Sequence, residues 1–266
     1  MARRLLHATG VFAELHRARF GERVDLSDFD PSAHPEPRLA LARRVWQERL
    51  RTELRSVQIM TRFLTEVVGA GDPLEVYAAA LELVEDEIRH VALCAGLCEA
   101  LGAEPLLPEP VELRDPPKYL EQPMIERALA TAIQMLAINE TISVAFIEDL
   151  EARCGDPAVR RVLHATCADE EGHQELGWSY VRTSLARFGE GTRPSWRHLV
   201  ASTLAPHDEN ARAILAGLSP AQRALEAHAE PDLAALGLFS PARQALVYER
   251  VRREKLEPRL RALELL

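Results

Sequence analysis

The sequence predicts an all-α fold: a four-helix bundle with one long crossover, followed by extra C-terminal helices. Three observations carry this prediction. Apolar residues recur every three to four positions over most of the chain, and no alternating run of β-branched residues bounded by turns competes with that period. Start and stop signals also divide the chain into two helical hairpins joined by a proline-rich segment.

Residues 1–37 read as a lead-in, one short helix followed by the polar stretch "DLSDFDPSAHPEP". A first long helix is expected from Arg38 to Val68, ending at "GAGDP". A second runs from Pro73 to Leu101. Asp72 stands where an N-cap belongs, and Pro73 takes the first helical position, where its missing N–H does no harm. The segment "GAEPLLPEPVELRDPPKYLEQP" is too rich in proline to be helical, yet long enough to carry the chain from one end of a bundle to the other. A third helix covers Met124 to Arg153. "CGDP" then repeats the "AGDP" start signal, so a fourth begins at Asp156-Pro157 and runs to Phe188. Residues 38–188 therefore form the bundle. Residues 189–266 add three or more shorter helices, two of them announced by Ser219-Pro220 and Ser240-Pro241, and their apolar content predicts that they pack on the bundle.

Composition narrows the function. At 266 residues, 47% hydrophobic and 27% charged, the chain can bury a sizeable core. A net charge of -9 opposes a broad phosphate-binding surface, so no nucleic-acid partner is expected. The longest uncharged apolar stretch, "ALATAIQMLAIN" at 128–139, falls short of the roughly 20 residues that cross a bilayer, and no membrane partner is expected either. The N-terminus lacks a full apolar signal region and a cleavage site, which predicts a cytoplasmic protein. Cys94, Cys98, Cys154 and Cys167 contain no C-x-x-C pair and read as reduced core thiols.

"EDEIRH" at 85–90 and "DEEGH" at 169–173 share the order Asp-Glu-x-x-His, once on each of two predicted helices. A buried unpaired carboxylate costs several kcal/mol or protonates, so such positions need a compensating partner. Residues three and four apart share a helical face. By that rule the apolar stripe of the first long helix is Trp46, Leu50, Glu53, Val57, Met60 and Leu64, with Glu48 off it. The second stripe includes Leu83, Glu87, His90, Cys94 and Leu97; the third includes Ile133, Leu136, Glu140 and Val144; the fourth includes Leu163, Thr166, Glu170, His173, Gly177 and Val181. Four carboxylates and two neutral imidazoles balance two divalent cations. This donor set suits Fe(II) or Mn(II), and the absence of thiolates disfavours structural zinc. One E-x-x-H alone is usually a surface accident; the six-residue set, one or two per helix, is far more specific.

On these residues the chain resembles the ferritin-like di-iron carboxylate superfamily, with Glu53, Glu87-x-x-His90, Glu140 and Glu170-x-x-His173 in the positions of its six metal ligands. The resemblance covers residues 38–188. It implies two Fe ions, with Mn as the alternative in one or both positions, and places Asp86 behind His173 and Asp169 behind His90 as the carboxylates that orient each ring. Arg89 completes "DEIRH", a form similar to bacterial di-iron monooxygenases, whereas the second run has Gly172 there. Cys94 stands where a reductase small subunit carries its radical tyrosine, and Val144 where multicomponent monooxygenases carry a threonine. The implied activity is a non-haem di-iron oxidoreductase that uses O₂ to oxidise or oxygenate a small organic substrate. No flavin or ferredoxin motif is present, so electrons would come from a separate donor protein or from the substrate. A monomer or homodimer is expected. The alternative is a ferroxidase or iron-handling protein, against which the last 78 residues exceed what a cage-forming bundle needs.

Overall fold

The structure, a computed structural model, describes residues 2–20, 24–108, 113, 115–228 and 231–266. It opens with strand β1 (Ala2–Arg4) and helix α1 (Val11–Phe20), and a 3-10 turn at Pro31–Ala33 leads into α2 (Glu36–Ala70). Helix α3 (Leu74–Ala100) returns antiparallel, the two joined at Gly71, whose φ of 71° ends α2 in the left-handed conformation that glycine adopts without strain. The crossover holds strand β2 (Leu106–Pro108) and a single helical turn, α4 (Pro117–Leu120). The second hairpin is α5 (Met124–Thr131), a π-helical segment (Ala132–Asn139) and α6 (Glu140–Arg153) in one continuous run, followed by α7 (Pro157–Leu185). Beyond lie α8 (Arg193–Ala216), α9 (Pro220–His228), α10 (Pro231–Ala234), α11 (Pro241–Val251), a second π segment (Arg252–Leu256) and α12 (Glu257–Ala262). The fold is an all-α helical bundle.

Three local expectations need correction. The chain is not wholly without strand: β1 pairs antiparallel with β2, Arg3 opposite Leu107. Gln47 of α2 holds that ribbon by accepting from the Leu106 N–H and donating to its carbonyl. The proline-rich crossover admits one helical turn because Pro117 occupies its first position. Asp72 does not cap α3. Pro73 takes the cap position, and the Asp72 carboxylate instead accepts from the Tyr180 hydroxyl at 2.7 Å and from Arg187. Other start signals act as read: Asp156 accepts from the N–H groups of Ala158 and Val159, Ser240 accepts from that of Arg243, and Ser219 and Gln222 cap each other reciprocally.

By length and composition the run Met124–Arg153 could cross a bilayer, which the shorter uncharged stretch within it does not suggest. In the fold, 67% of its most apolar window is buried inside the protein. Helices α8 and α11 pack against its π and α6 portions. Asp149 on α6 pairs with Arg153 of its own helix and with Arg243 of α11 at 2.6 Å, which ties the C-terminal helices to the bundle.

The apolar interior is split in two. One cluster gathers Met60, Phe63 and Val67 of α2 with Leu83, Ile133 and Val181; the other gathers Trp46 and Leu50 with Leu97, Leu150, Val159 and Leu163. Each long helix crosses from one cluster to the other. On α2, α3 and α7 the crossing carries Glu53, Glu87 and His90, or Glu170 and His173, and on the third helix Glu140 stands between Ile138 and Ile142 of the first cluster, one to three turns before the crossing.

Candidate metal centre

Helical spacing places these six side chains in one layer. Glu87, His90, Glu140, Glu170 and His173 are each at most 6% exposed, and the Glu53 side chain is 18% exposed. They form two groups of three, Glu53 with His90 and Glu170, and Glu87 with Glu140 and His173, the donor atoms of each group lying within 4.8 Å of one another. The His90 Nδ1 sits 3.4 Å from Glu170 Oε1, 3.6 Å from Glu87 Oε2 and 3.8 Å from Glu53 Oε2. The His173 Nδ1 sits 3.2 Å from Glu170 Oε2 and 3.9 Å from Glu87 Oε1. Glu87 and Glu170 thus each offer one oxygen to either histidine. Glu53 stands at the His90 side, and Glu140 at the His173 side.

Behind the rings the contacts run crosswise between the hairpins. His90 Nε2 meets Asp169 Oδ2 at 3.2 Å, and His173 Nε2 meets Asp86 Oδ2 at 3.1 Å. Each imidazole has Nε2–H placed to donate to an aspartate, with Nδ1 turned to the centre. Arg89 donates through Nε to Asp169 at 2.9 Å and through Nη2 to Asp86, so one guanidinium fixes both aspartates. Asp169 is held below the usual carboxylate range: burial opposes this, but the bonds from His90 and Arg89 outweigh it.

The residues fit a pair of metal ions by what they leave unmade. His90 Nδ1, His173 Nδ1, Glu87 Oε2 and Glu170 Oε2 are all buried without a hydrogen-bond partner. Buried polar atoms are rarely left this way, and here all four face the same space. Separations of 3.2–3.9 Å are those of donors arranged about common points roughly 2 Å away, as metal ligands are. In the metal-free chain protons take the cation's place. Burial, reinforced by Glu87, pushes Glu53 up to about 8, and burial with Glu170 beside it pushes Glu140 well above the carboxylate range. Burial alone would lower the two histidines; the bonds of His90 to Asp169 and of His173 to Asp86, with the surrounding glutamates, instead raise His90 well above its ordinary value and His173 to about 9. Glu170 is lowered: burial opposes this, but His173 and His90 outweigh it.

Two cavities flank the layer. A cleft of about 570 Å³ reaches Asp86, Arg89, Asp169 and His173 from the side of α1, and Glu82 and Glu85 make its rim acidic. A smaller cavity of about 190 Å³ touches Glu53 directly, lined by Trp46, Arg49, Cys94, Phe146, Ile147 and Phe239 among others. Thr166 also lines it, and burial pushes the Cys94 thiol well above its ordinary value.

Three features lay outside the sequence reading. The first is the π-helical turn, in which the Glu140 N–H bonds the carbonyl of Met135, five residues back. Such turns gather at functional sites, and no residue pattern announces this one. The second is Arg49, one helical turn before Glu53 on the same face, a position the i, i+4 rule could have flagged. The third is Glu66, fully buried elsewhere on α2. Trp46, Trp178 and Tyr180 are core aromatics whose polar atoms bond Leu236 O, Thr141 Oγ1 and Asp72.

Fold and site together define an all-α bundle with two buried Glu/His groups that could hold metal ions. No protein-family model, curated protein or solved structure matches the chain.

Proposed function

We propose that this chain is a non-haem di-iron oxidoreductase of the ferritin-like carboxylate type, which uses O₂ to oxidise or oxygenate a small organic molecule. The observation that carries the reading is the set of four buried, unpartnered donor atoms on Glu87, His90, Glu170 and His173, facing one space between four helices. Glu53, His90 and Glu170 would hold one ion, and Glu87, Glu140 and His173 the other, with Glu87 and Glu170 shared. Two iron ions so held supply, when bound, the electrons that reduce O₂ while the organic molecule is oxidised.

The chain's own residues do the rest. Asp86 and Asp169 accept the Nε2–H of His173 and His90, which fixes both rings with Nδ1 inward. Arg89 holds both aspartates in place and, with His90, keeps Asp169 ionised. The apolar clusters on either side leave the two cavities as the routes by which small molecules reach the layer. The cavity beside Glu53 gives an organic molecule a place next to the metal ligands. Repeated turnover requires electrons from a donor protein or from the substrate, because the donor set described here has no second redox group.

The test is anaerobic loading with Fe(II), followed by elemental analysis and measurement of O₂ uptake. Two irons per chain are expected, with O₂ consumption that stops near the amount the bound iron can reduce when no donor is supplied. Oxidation and retention of many added irons per chain in a large hollow assembly would move the reading to iron storage. Failure to bind metal under several loading conditions would overturn it.

A further inference from the structure

Arg49 is a half-buried cation that lines the cavity beside Glu53. A guanidinium carries five N–H donors in a fixed fork. One nitrogen, Nη2, donates to the Gly237 carbonyl at 2.8 Å, and the face of the group lies over the Trp46 ring at 4.3 Å. No ion pair and no other hydrogen-bond acceptor engages it among the described residues. Arg62 and Arg127, by contrast, lie within 3.6 Å of the Glu66 carboxylate, and Arg62 also pairs with Asp115. A guanidinium that lines a cavity with donors to spare favours an anionic occupant there.

Those donors border the 190 Å³ cavity, and its lining fixes what the partner must be. Glu53 is the one acidic side chain among the described lining residues. In the metal-loaded protein that carboxylate would be committed to the cation rather than to Arg49. The remaining wall is largely apolar, with Phe146, Ile147, Leu150, Leu163 and Phe239, and it offers Ser143 and Gln244 as neutral hydrogen-bonding groups. A cavity of about 150 Å³ lined by apolar side chains admits benzene. The volume here leaves room for one ring or a short chain bearing one small polar group.

We propose that this cavity binds a small organic anion, an apolar body of about one ring carrying a carboxylate that pairs with Arg49, and that such an anion is the substrate class of the adjacent centre. This rests on the reading of the six-residue layer as a metal site. The carboxylate lies against the guanidinium fork, where bidentate contact is strongest. The apolar body then extends along Phe146 and Phe239 beside Glu53, which puts its carbon atoms, rather than its charge, next to the metal ligands.

The metal-loaded protein is titrated calorimetrically with benzoate, benzamide and inorganic phosphate, with metal content measured on the same samples. Benzoate should bind at least about ten-fold tighter than either comparator, and Arg49→Met should weaken benzoate about ten-fold or more while leaving benzamide unchanged. Arg49→Lys should fall between the two. Benzamide binding as tightly as benzoate, phosphate competing equally, no probe binding, or benzoate affinity unaffected by Arg49→Met would each overturn the inference. In the last case the carboxylate sits on the metal. Should Arg49→Met not fold, a crystal of the wild-type protein grown with benzoate decides: the carboxylate within hydrogen-bonding distance of Arg49 supports the assignment, and any other position overturns it. Two ions per chain without benzoate binding would sink the pocket assignment alone, whereas a chain that takes up no metal would sink both readings.

Discussion

Helix α2 buries two glutamates, Glu53 and Glu66, in opposite circumstances. Both Glu66 oxygens are used: Tyr119 donates to one, Thr131 donates to the other at 2.7 Å, and the Nε atoms of Arg127 and Arg62 stand 3.4 and 3.6 Å away. Burial and the bond to Glu66 push the Tyr119 hydroxyl up to about 12, so it remains a donor. The cluster is electrically matched within the protein and pins the crossover to the bundle. Around Glu53 the neighbours are three more carboxylates and two imidazoles, with inward-facing donor atoms left over. The difference teaches how to sort buried polar clusters. One whose oxygens are all taken up by protein donors is structural, and one that leaves inward-facing donor atoms unpartnered could hold a cation.

The largest expected effect separates stability from metal uptake. Glu66→Ala leaves Arg62 and Arg127 facing an uncompensated site and should cost about 3–5 kcal/mol, a fall in melting temperature on the order of 10 °C, with metal uptake unchanged. Glu87→Ala removes a carboxylate that repels Glu53 but pairs with His90 and His173. These effects offset, so the metal-free protein should keep its melting temperature within a few degrees, while uptake of two ions is lost. Thermal melts with and without Fe(II), paired with elemental analysis, separate the two. Equal destabilisation of the metal-free chain by both variants would erase the distinction.

The protonation states sharpen it further. Glu53 is raised from an ordinary 4.5 to about 8, and His173 from 6.5 to about 9. A group whose folded value is raised contributes stability that is fully present below its unfolded value and is lost as pH rises through the folded one. The metal-free protein should accordingly lose stability between about pH 4.5 and pH 9, with the Glu53 share gone by about pH 8. Glu53→Gln should flatten the lower part of that decline. Metal ions displace the same protons, so uptake should release protons and tighten as pH rises. Melting curves across this range and a weakly buffered indicator assay check both signs; a metal-free protein that grows more stable toward pH 9 would contradict them.

How much of this was legible in the sequence follows the range of the interactions. The positions of Glu53, Glu87, His90, Glu140, Glu170 and His173 on buried stripes depend on helical period, which is local, so the stripes could be written down in advance. Glu140 kept its place despite the π turn before it because that run is buried on nearly every side, where a one-residue slip exposes nothing. Glu66 and Asp72 were not legible. Their partners arrive from far along the chain, Tyr119 and Thr131 for one and Tyr180 and Arg187 for the other, and no window around either residue contains them.

A smaller effect tests how the layer is held together rather than what it binds. Gly177 on α7 lies so close to the π-helical segment that an added Cβ would stand 2.5 Å from the Leu136 carbonyl carbon and 2.6 Å from its Cβ. Backbone blocks that contact, so Gly177→Ala must push α7 away from the run that carries Glu140. A cost of about 1–3 kcal/mol is expected. Metal affinity should drop with it, because Glu170 and His173 ride on the helix that moves. Retained stability with unaltered affinity would mean that the two helices approach less closely than this.

The smallest effect belongs to Glu48, and its smallness is the point. Five residues before Glu53 on the same helix, it projects roughly 140° away by the 100° step of an α-helix. Its carboxylate lies 3.0 Å from Arg51 with 69% of the side chain exposed, a pairing that solvent screens. Glu48→Ala should change stability by less than about 0.5 kcal/mol and leave two ions bound, whereas Glu53→Ala should impair uptake at the His90 side first. Because the two substitutions remove the same group from the same helix, any difference between them comes from direction alone. Elemental analysis of the two variants loaded side by side reads that difference, and equal metal content would mean that Glu53 is as dispensable as a surface glutamate, leaving its group with His90 and Glu170 one ligand short.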